Sequence, residues 1–233
     1  MNLRVEERPS PNHDARPEGA AVDMLILHYT GMKSGAEALA RLRDPEAGVS
    51  SHYLVEEDGR IFRLVDEARR ARHAGVSHWG GRSALNAVSI GIEIVNPGHE
   101  WGYRPFPALQ MAAVAELCLD ILARHAIPAR HVLAHSDVAP DRKEDPGELF
   151  DWEGLAKCGV GLWPAEDVGL WPKEDATPEA DALTLLGRIG YRTDLPLPVL
   201  VTAFQRHWRP DRVDGVADAV TLARMAGLLR ATA

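Results

Sequence analysis

Four places in the sequence put a metal-binding or catalytic side chain at or near the end of a predicted strand. His28 ends the apolar run LILH, Glu93 lies in SIGIEIVN, His135 ends HVLAH, and Asp145 follows in a densely charged loop. Adjacent strands of one sheet can bring such side chains together at one edge. The His28 and His135 imidazoles and the Asp145 carboxylate would fill three corners of a zinc tetrahedron. A fourth corner left for water is typical of a catalytic zinc site.

Glu93 and Lys143 are candidates for the other groups that zinc-assisted hydrolysis needs. Zinc lowers the pKa of a bound water from ~16 to about 7, and Glu93 is placed to accept its proton. Lys143, two residues before Asp145, could stabilise an oxyanion. Each residue also has a structural explanation: strand-end histidines are often hydrogen-bonded structural residues, and Lys143 and Asp145 fit a solvated charged loop. A buried Glu93 without a partner is harder to explain in that way.

The apolar patterns predict an α/β fold, with a mixed central β-sheet flanked by helices. Residues 22–30, 87–96 and 131–135 are predicted strands, and alternating runs on both sides of Asp58-Gly59 predict a hairpin. Ser34 predicts the start of a short helix that stops before Asp44-Pro45, and residues 105–125 predict a long amphipathic helix.

Four segments follow from these patterns. We predict an N-terminal arm over 1–20, a first domain over 21–159, a linker over 160–177 and a helical domain of three short amphipathic segments over 178–233. The linker repeats VGLWPAED as VGLWPKED, and two copies are too few for a solenoid. Trp163 and Trp171 are expected to pin the linker to a domain surface rather than to stack on sugars.

Composition excludes several classes of function. The net charge of −8 argues against a broad nucleic-acid surface, and no apolar run reaches membrane-spanning length. Cys118 and Cys158 do not make a disulfide framework. The polar, proline-rich N-terminus lacks the apolar segment of a signal peptide. As written, we expect a cytoplasmic monomer, whereas a periplasmic or cell-envelope location would require a leader.

Several strings together resemble the zinc-dependent N-acetylmuramoyl-L-alanine amidases of the AmpD/AmiD type, relatives of the peptidoglycan recognition proteins. The strings are ILHYT, VSSHYLVEEDGRIFRLVDE, RHAGVSHWGG, LNAVSIGIEIVN and HVLAHSDVAPDRKEDPGELFDW. The resemblance implies that Zn²⁺ is held by His28, His135 and Asp145. It implies that Glu93 is the general base and that Lys143 polarises the scissile carbonyl or stabilises its oxyanion. The bond cut would join N-acetylmuramic acid to the L-alanine of a stem peptide, in peptidoglycan or muropeptides.

The resemblance also implies substrate contacts. His73 and Trp79 match a segment that lines the substrate groove, and His52 and Tyr53 match positions beside the site. The family often has an aromatic residue before the HAG string, where this chain has Arg72. That arginine could pair with a muropeptide carboxylate or lie at the surface.

The C-terminal segment resembles the three-helix peptidoglycan-binding module that follows some of these amidases, and a GLWP-like stretch joins the two domains there. A dimerisation element is the alternative for this segment. For the whole chain, the alternative is an inactive peptidoglycan-recognition protein, which loss of a zinc ligand would mark; all three ligand positions are filled here. The wall-binding module favours intact periplasmic polymer as substrate, whereas the lack of a leader favours recycled anhydro-muropeptides.

Overall fold

A six-stranded mixed sheet forms the centre of the part of the chain that the computed structural model describes, residues 3–164 and 178–232. Its strand order is β1-β5-β4-β9-β3-β10, and all neighbours run parallel except β4 and β5, the predicted hairpin. Two small antiparallel sheets pair β2 with β6 and β7 with β8. The strands are β1 Val5–Glu7, β2 His13–Ala15, β3 Met24–Tyr29, β4 Tyr53–Val55, β5 Ile61–Arg63, β6 Arg69–Ala71, β7 His78–Trp79, β8 Arg82–Ser83, β9 Ser89–Ile94 and β10 Val132–Ala134.

Helices cover both faces of the sheet, which confirms the predicted α/β fold. Ser34 caps the first helix by accepting a hydrogen bond from the Glu37 N–H, as its position before the apolar run predicts. The long helix starts after Pro107, close to the predicted boundary. The helices are α1 Gly35–Arg43, α2 Gly98–Trp101, α3 Ala108–Arg124, α4 His135–Val138, α5 Trp152–Lys157, α6 Pro178–Ile189, α7 Leu197–Trp208 and α8 Ala219–Ala231.

The alternation of side chains along β3 assigns one face of the sheet to the site. Leu25 and Leu27 pack into the core that includes α3, whereas Met24 and Ile26 pack into the core that includes the C-terminal helices. His28 follows Met24 and Ile26 on the second face, because strand side chains alternate with a period of two. The same alternation on β9 places Glu93 on this face too. Glu93 lies beside His28, because the two residues are paired in the strand register.

The C-terminal helices share a core with the sheet. Phe204 and Leu222 belong to the same buried cluster as Met24, Ile26 and Leu133. Trp163 packs against this cluster and also against the α3 core, as predicted for a linker that is pinned to a surface. Trp171 and the second VGLWPxED copy lie outside the described residues. The division of the chain into separate domains stays a prediction. The C-terminal helices pack directly against the main sheet.

The interpretation of residues 1–20 as an arm or loop is wrong in part. β1 adds to the edge of the main sheet in register with β5, and β2 pairs with β6. Between these strands, the buried Ser10 hydroxyl donates to the Leu42 carbonyl at 2.6 Å. Strands of three residues that carry charged side chains give little periodicity, so their pairing depends on distant parts of the chain. No helix in the described ranges is long and apolar enough to cross a membrane.

A partly buried carboxylate, that of Glu67, ties the end of α3 to the sheet and predicts acid-sensitive stability. Glu67 accepts hydrogen bonds from the Tyr53 hydroxyl, Arg124 Nη2 and His125 Nε2, each at 2.7 Å. Burial alone would raise the pKa of Glu67, but these donors outweigh it and lower the pKa to about 2.

We expect Glu67→Gln to lower the free energy of unfolding near neutral pH by up to about 3 kcal/mol. The stabilisation is complete above the unfolded-state pKa of 4.5 and is lost as the pH falls toward about 2. Urea unfolding of the wild type and of Glu67→Gln, near neutral pH and at about pH 2, measures the effect. Glu116→Gln, at an exposed position of α3, is the control. A deficit of equal size at both pH values would contradict the assignment.

Candidate metal centre

Three predicted ligands meet at one point, although they lie on separate elements. His28 lies near the end of β3, His135 is the first residue of α4, and Asp145 lies in the loop that follows. The two Nδ1 atoms are 2.9 Å apart, and Asp145 Oδ2 lies 3.1 Å from His28 Nδ1 and 3.0 Å from His135 Nδ1. All three residues are buried.

Hydrogen bonds behind His28 fix its proton on the nitrogen that faces away from this point. The Ser89 hydroxyl donates to the Leu85 carbonyl (2.7 Å) and therefore accepts from His73 Nε2 (3.1 Å). His73 Nδ1 is then an acceptor in the neutral ring, and His28 Nε2 donates to it (3.0 Å). A neutral His28 consequently presents a bare lone pair at Nδ1.

A single hydrogen bond fixes the tautomer of the neutral His135 ring. Its Nε2 donates to the Ala74 carbonyl at 3.2 Å, so Nδ1 of the neutral ring carries no proton. Two bare nitrogens and a carboxylate oxygen then lie about 3 Å from one another with no proton between them. Such an arrangement is repulsive unless a cation lies at its centre. The donor set of two imidazoles and one carboxylate is that of a catalytic zinc site.

The charge states follow from burial. Burial lowers the pKa of His28 to about 4 and places the pKa of His73 well below its usual value, so both rings are neutral at physiological pH. Burial alone would raise the pKa of Asp145, but the His135 and His28 rings beside it hold the pKa below its ordinary range. Asp145 is therefore an anion beside the neutral His28 ring.

The charged loop between the two later ligands is an ordered turn. The Arg142 and Lys143 N–H groups both donate to the Ala139 carbonyl at 3.0 Å. The Ser136 N–H donates to the Asp145 carbonyl at 3.0 Å, so the backbone beside His135 is joined directly to Asp145. The alternative interpretation of this segment as a solvated loop does not describe Asp145, which is buried.

Glu93 lies beside the ligands as a half-buried carboxyl group with one buried, unsatisfied oxygen. Its strand position is directly opposite His28, and its Oε2 has no hydrogen-bond partner among the described residues. Burial, with the Asp145 charge nearby, raises the pKa of Glu93 well above its ordinary value, although Lys143 opposes the shift. A buried polar atom without a partner is uncommon and points to a ligand or a reaction.

A cavity of about 380 Å³ opens onto this group of residues. Its wall includes six of the predicted site residues: Arg72, His73, Glu93, His135, Lys143 and Asp145. Arg72 is paired with Asp14 through Nε and Nη2, at 3.0 and 2.9 Å. His73 supports His28 from behind, and a Cβ at Gly91 would collide with the His73 ring, which explains the glycine in β9.

Three of the predicted substrate contacts do not line this cavity. His52 is fully buried and bonds to the Gly91 N–H and the Arg69 carbonyl. Tyr53 lies on the α3 face of the sheet, opposite the site. Trp79 packs edge-on against Tyr191 of the C-terminal part. The strand alternation in SSHYLV and the docking of the C-terminal helices place these side chains in structural roles.

Comparison with known proteins identifies the family. The family model for N-acetylmuramoyl-L-alanine amidase matches residues 18–148. The chain is 40% identical over 251 residues to the N-acetylmuramoyl-L-alanine amidase AmiD of Escherichia coli, covering 97% of this chain and 90% of AmiD. It is 35% identical over 161 residues to the 1,6-anhydro-N-acetylmuramyl-L-alanine amidase AmpD of E. coli, covering 62% and 86%.

Solved structures agree with these matches. AmiD from E. coli, in complex with anhydro-N-acetylmuramic acid-L-Ala-D-gamma-Glu-L-Lys, superposes with a TM-score of 0.81 at 39% identity and covers 92% of each chain. AmpDH3 from Pseudomonas aeruginosa, in complex with anhydromuramic pentapeptide, gives 0.82 at 33% identity and covers 91% and 92%. These similarities confirm the predicted amidase fold and reaction class. The chain therefore belongs to the N-acetylmuramoyl-L-alanine amidase family.

Proposed function

We propose that this chain is a zinc-dependent hydrolase of the amide bond between N-acetylmuramic acid and L-alanine, in peptidoglycan or in muropeptides. The observation that carries the proposal is the convergence of three bare lone pairs, from His28, His135 and Asp145, about 3 Å apart. Ligand bonds of about 2.0–2.2 Å from nitrogen and oxygen to zinc suit a triangle of this size. The substrates in the two related complexes support the choice of bond.

The chain's own residues supply the acid–base chemistry. Zinc, when bound, polarises the carbonyl and makes water acidic near neutral pH. Glu93 accepts a proton as the water oxygen adds to the lactyl carbonyl carbon, and it returns that proton to the alanine nitrogen as the C–N bond breaks. A carboxyl with a raised pKa suits both steps, because it holds the transferred proton more readily. Lys143 stabilises the negative charge that develops on the carbonyl oxygen.

Arg72 is the proposed contact for a stem-peptide carboxylate at the wall of the cavity. Its bidentate pair with Asp14 fixes the guanidinium plane. The paired carboxylate also offsets the arginine's charge, so we expect Arg72 to orient a peptide rather than to dominate its affinity.

Product analysis tests the proposed reaction and its alternative. The zinc-loaded chain is incubated separately with purified anhydro-muropeptide and with intact sacculi, and the products are identified by mass spectrometry. Hydrolysis at the proposed bond releases a stem peptide with a free L-alanine amine. Binding without release of this peptide from either substrate would identify an inactive recognition protein. The preferred substrate also bears on the compartment, since intact polymer lies outside the cytoplasm.

The C-terminal helices are proposed to bind peptidoglycan, on the resemblance of their sequence to the wall-binding module. Co-sedimentation of the full-length Glu93→Gln variant with sacculi tests this role, because that variant should not degrade its target. Sedimentation equilibrium tests the alternative of a dimerisation element, and a mass near the chain's 25.5 kDa supports the proposed monomer.

A further inference from the structure

A buried carboxylate in α4 connects the ligand segment to the C-terminal helices. Asp137 lies two residues after His135 and is almost completely buried. It accepts three hydrogen bonds: from the Ala134 N–H at 2.8 Å, the Tyr191 hydroxyl at 2.5 Å and His207 Nδ1 at 2.6 Å. Two of the three donors come from residues 54 and 70 positions away in sequence.

The two distant donors are themselves held in place. The His207 ring is stacked between Trp152 and Trp208, with ring centroids 3.7 Å away on each side and interplanar angles of 26° and 9°. Trp152 belongs to α5 and Trp208 to α7, so indoles from the two parts of the chain clamp the imidazole. The Tyr191 ring packs edge-on against Trp79, at 4.9 Å between centroids.

The local hydrogen bond of Asp137 acts on the turn that presents the metal ligands. By accepting the Ala134 N–H, Asp137 closes the first turn of α4, of which His135 is the first residue. The Ser136 N–H, two residues after Ala134, donates to the Asp145 carbonyl. A shift of Asp137 would therefore move the backbone of both ligands. Asp137 and His207 do not line the cavity, so neither is placed to touch substrate.

We infer that Asp137, held by Tyr191 and His207, is a positioning residue for the metal centre, and that the C-terminal helices are thereby a structural part of the catalytic unit. The inference rests on the proposed metal site. It goes beyond wall binding, because it gives the helices a role in reactions with small soluble muropeptides as well as with polymer.

The test is the metal affinity of full-length Asp137→Asn, measured by competition with a chromophoric zinc chelator. Because outer partners of metal ligands contribute about 10–100-fold to affinity, we expect the zinc Kd to rise by that factor. At saturating zinc, kcat for muropeptide should fall while KM stays unchanged. Tyr191→Phe removes one donor and keeps the ring, so it should change Kd and kcat in the same direction but less. If Asp137→Asn fails to fold, Tyr191→Phe provides the test instead.

Asp214→Asn is the matched control. Asp214 accepts hydrogen bonds from Gln205, Arg212 and the Val216 N–H within the helical part and lies outside the Asp137 network. It should leave the zinc Kd unchanged even if it lowers the unfolding midpoint. Wild-type zinc affinity in Asp137→Asn and Tyr191→Phe would overturn the inference, whatever their thermal stability. If the wild-type chain itself binds no zinc, the proposed zinc-dependent function is wrong, which is a different result from failure of this inference.

Discussion

Replacing His28, His135 or Asp145 with alanine is expected to abolish zinc retention and to reduce amide hydrolysis by about 1000-fold or more. The metal's contribution to charge stabilisation is several kcal/mol, which corresponds to a factor of that size. Loss of one ligand leaves only two protein donors, too few for a zinc site that must also hold water. The effect should not depend on the substrate, because all muropeptides would use the same centre.

Metal content after dialysis and product release from muropeptide are the two measurements for these variants. His131→Ala is the matched histidine control, since His131 donates to the Asp23 carbonyl and is not a wall residue of the catalytic cavity. It should keep both its zinc and its activity. Full metal retention in any of the three ligand variants would show that the residue concerned is not a ligand.

Glu93→Gln is expected to keep zinc and to lose most turnover, by about 10²–10⁴-fold. The amide has the shape of the carboxyl group but cannot carry a proton from water to the leaving nitrogen. We also expect its thermal stability to equal or exceed that of the wild type. The carboxyl oxygen Oε2, buried without a partner, destabilises the fold, and a neutral amide removes the cost of placing a charge there.

Single-turnover kinetics and a thermal melt of the zinc-loaded variant measure the two effects. Glu116→Gln, on the exposed side of α3, controls for the substitution itself. A Glu93 variant with near-normal rates would exclude its role as general base. Loss of zinc together with activity would instead assign Glu93 to holding the metal.

The parts of the site that depend on local pattern could be predicted from the sequence. His28, Glu93 and His135 follow or interrupt apolar runs that predict buried strands, and the charged loop follows directly after His135. Asp145 and Lys143 are candidates because they lie within ten residues of His135, but it is the family resemblance that favours them over a solvated loop.

The parts that depend on which face a strand turns inward, or on docking, could not be predicted in this way. His52 and Tyr53 are neighbours in a string that matches the family, yet alternation buries His52 beneath His73 and sends Tyr53 to the α3 core. Trp79 meets Tyr191, more than a hundred positions later in the chain. Two of the three donors to Asp137 come from 54 and 70 positions away, so no local signal in HSDVAP marks the network around that residue.

The most direct test of the metal centre is the zinc content of the full-length chain, isolated without chelator and measured by plasma emission spectrometry. We predict one zinc per chain, loss of both zinc and activity on treatment with a strong chelator, and recovery of both when zinc is added. A chain that is isolated without metal, that cannot be loaded with zinc, and that still hydrolyses muropeptide would contradict it.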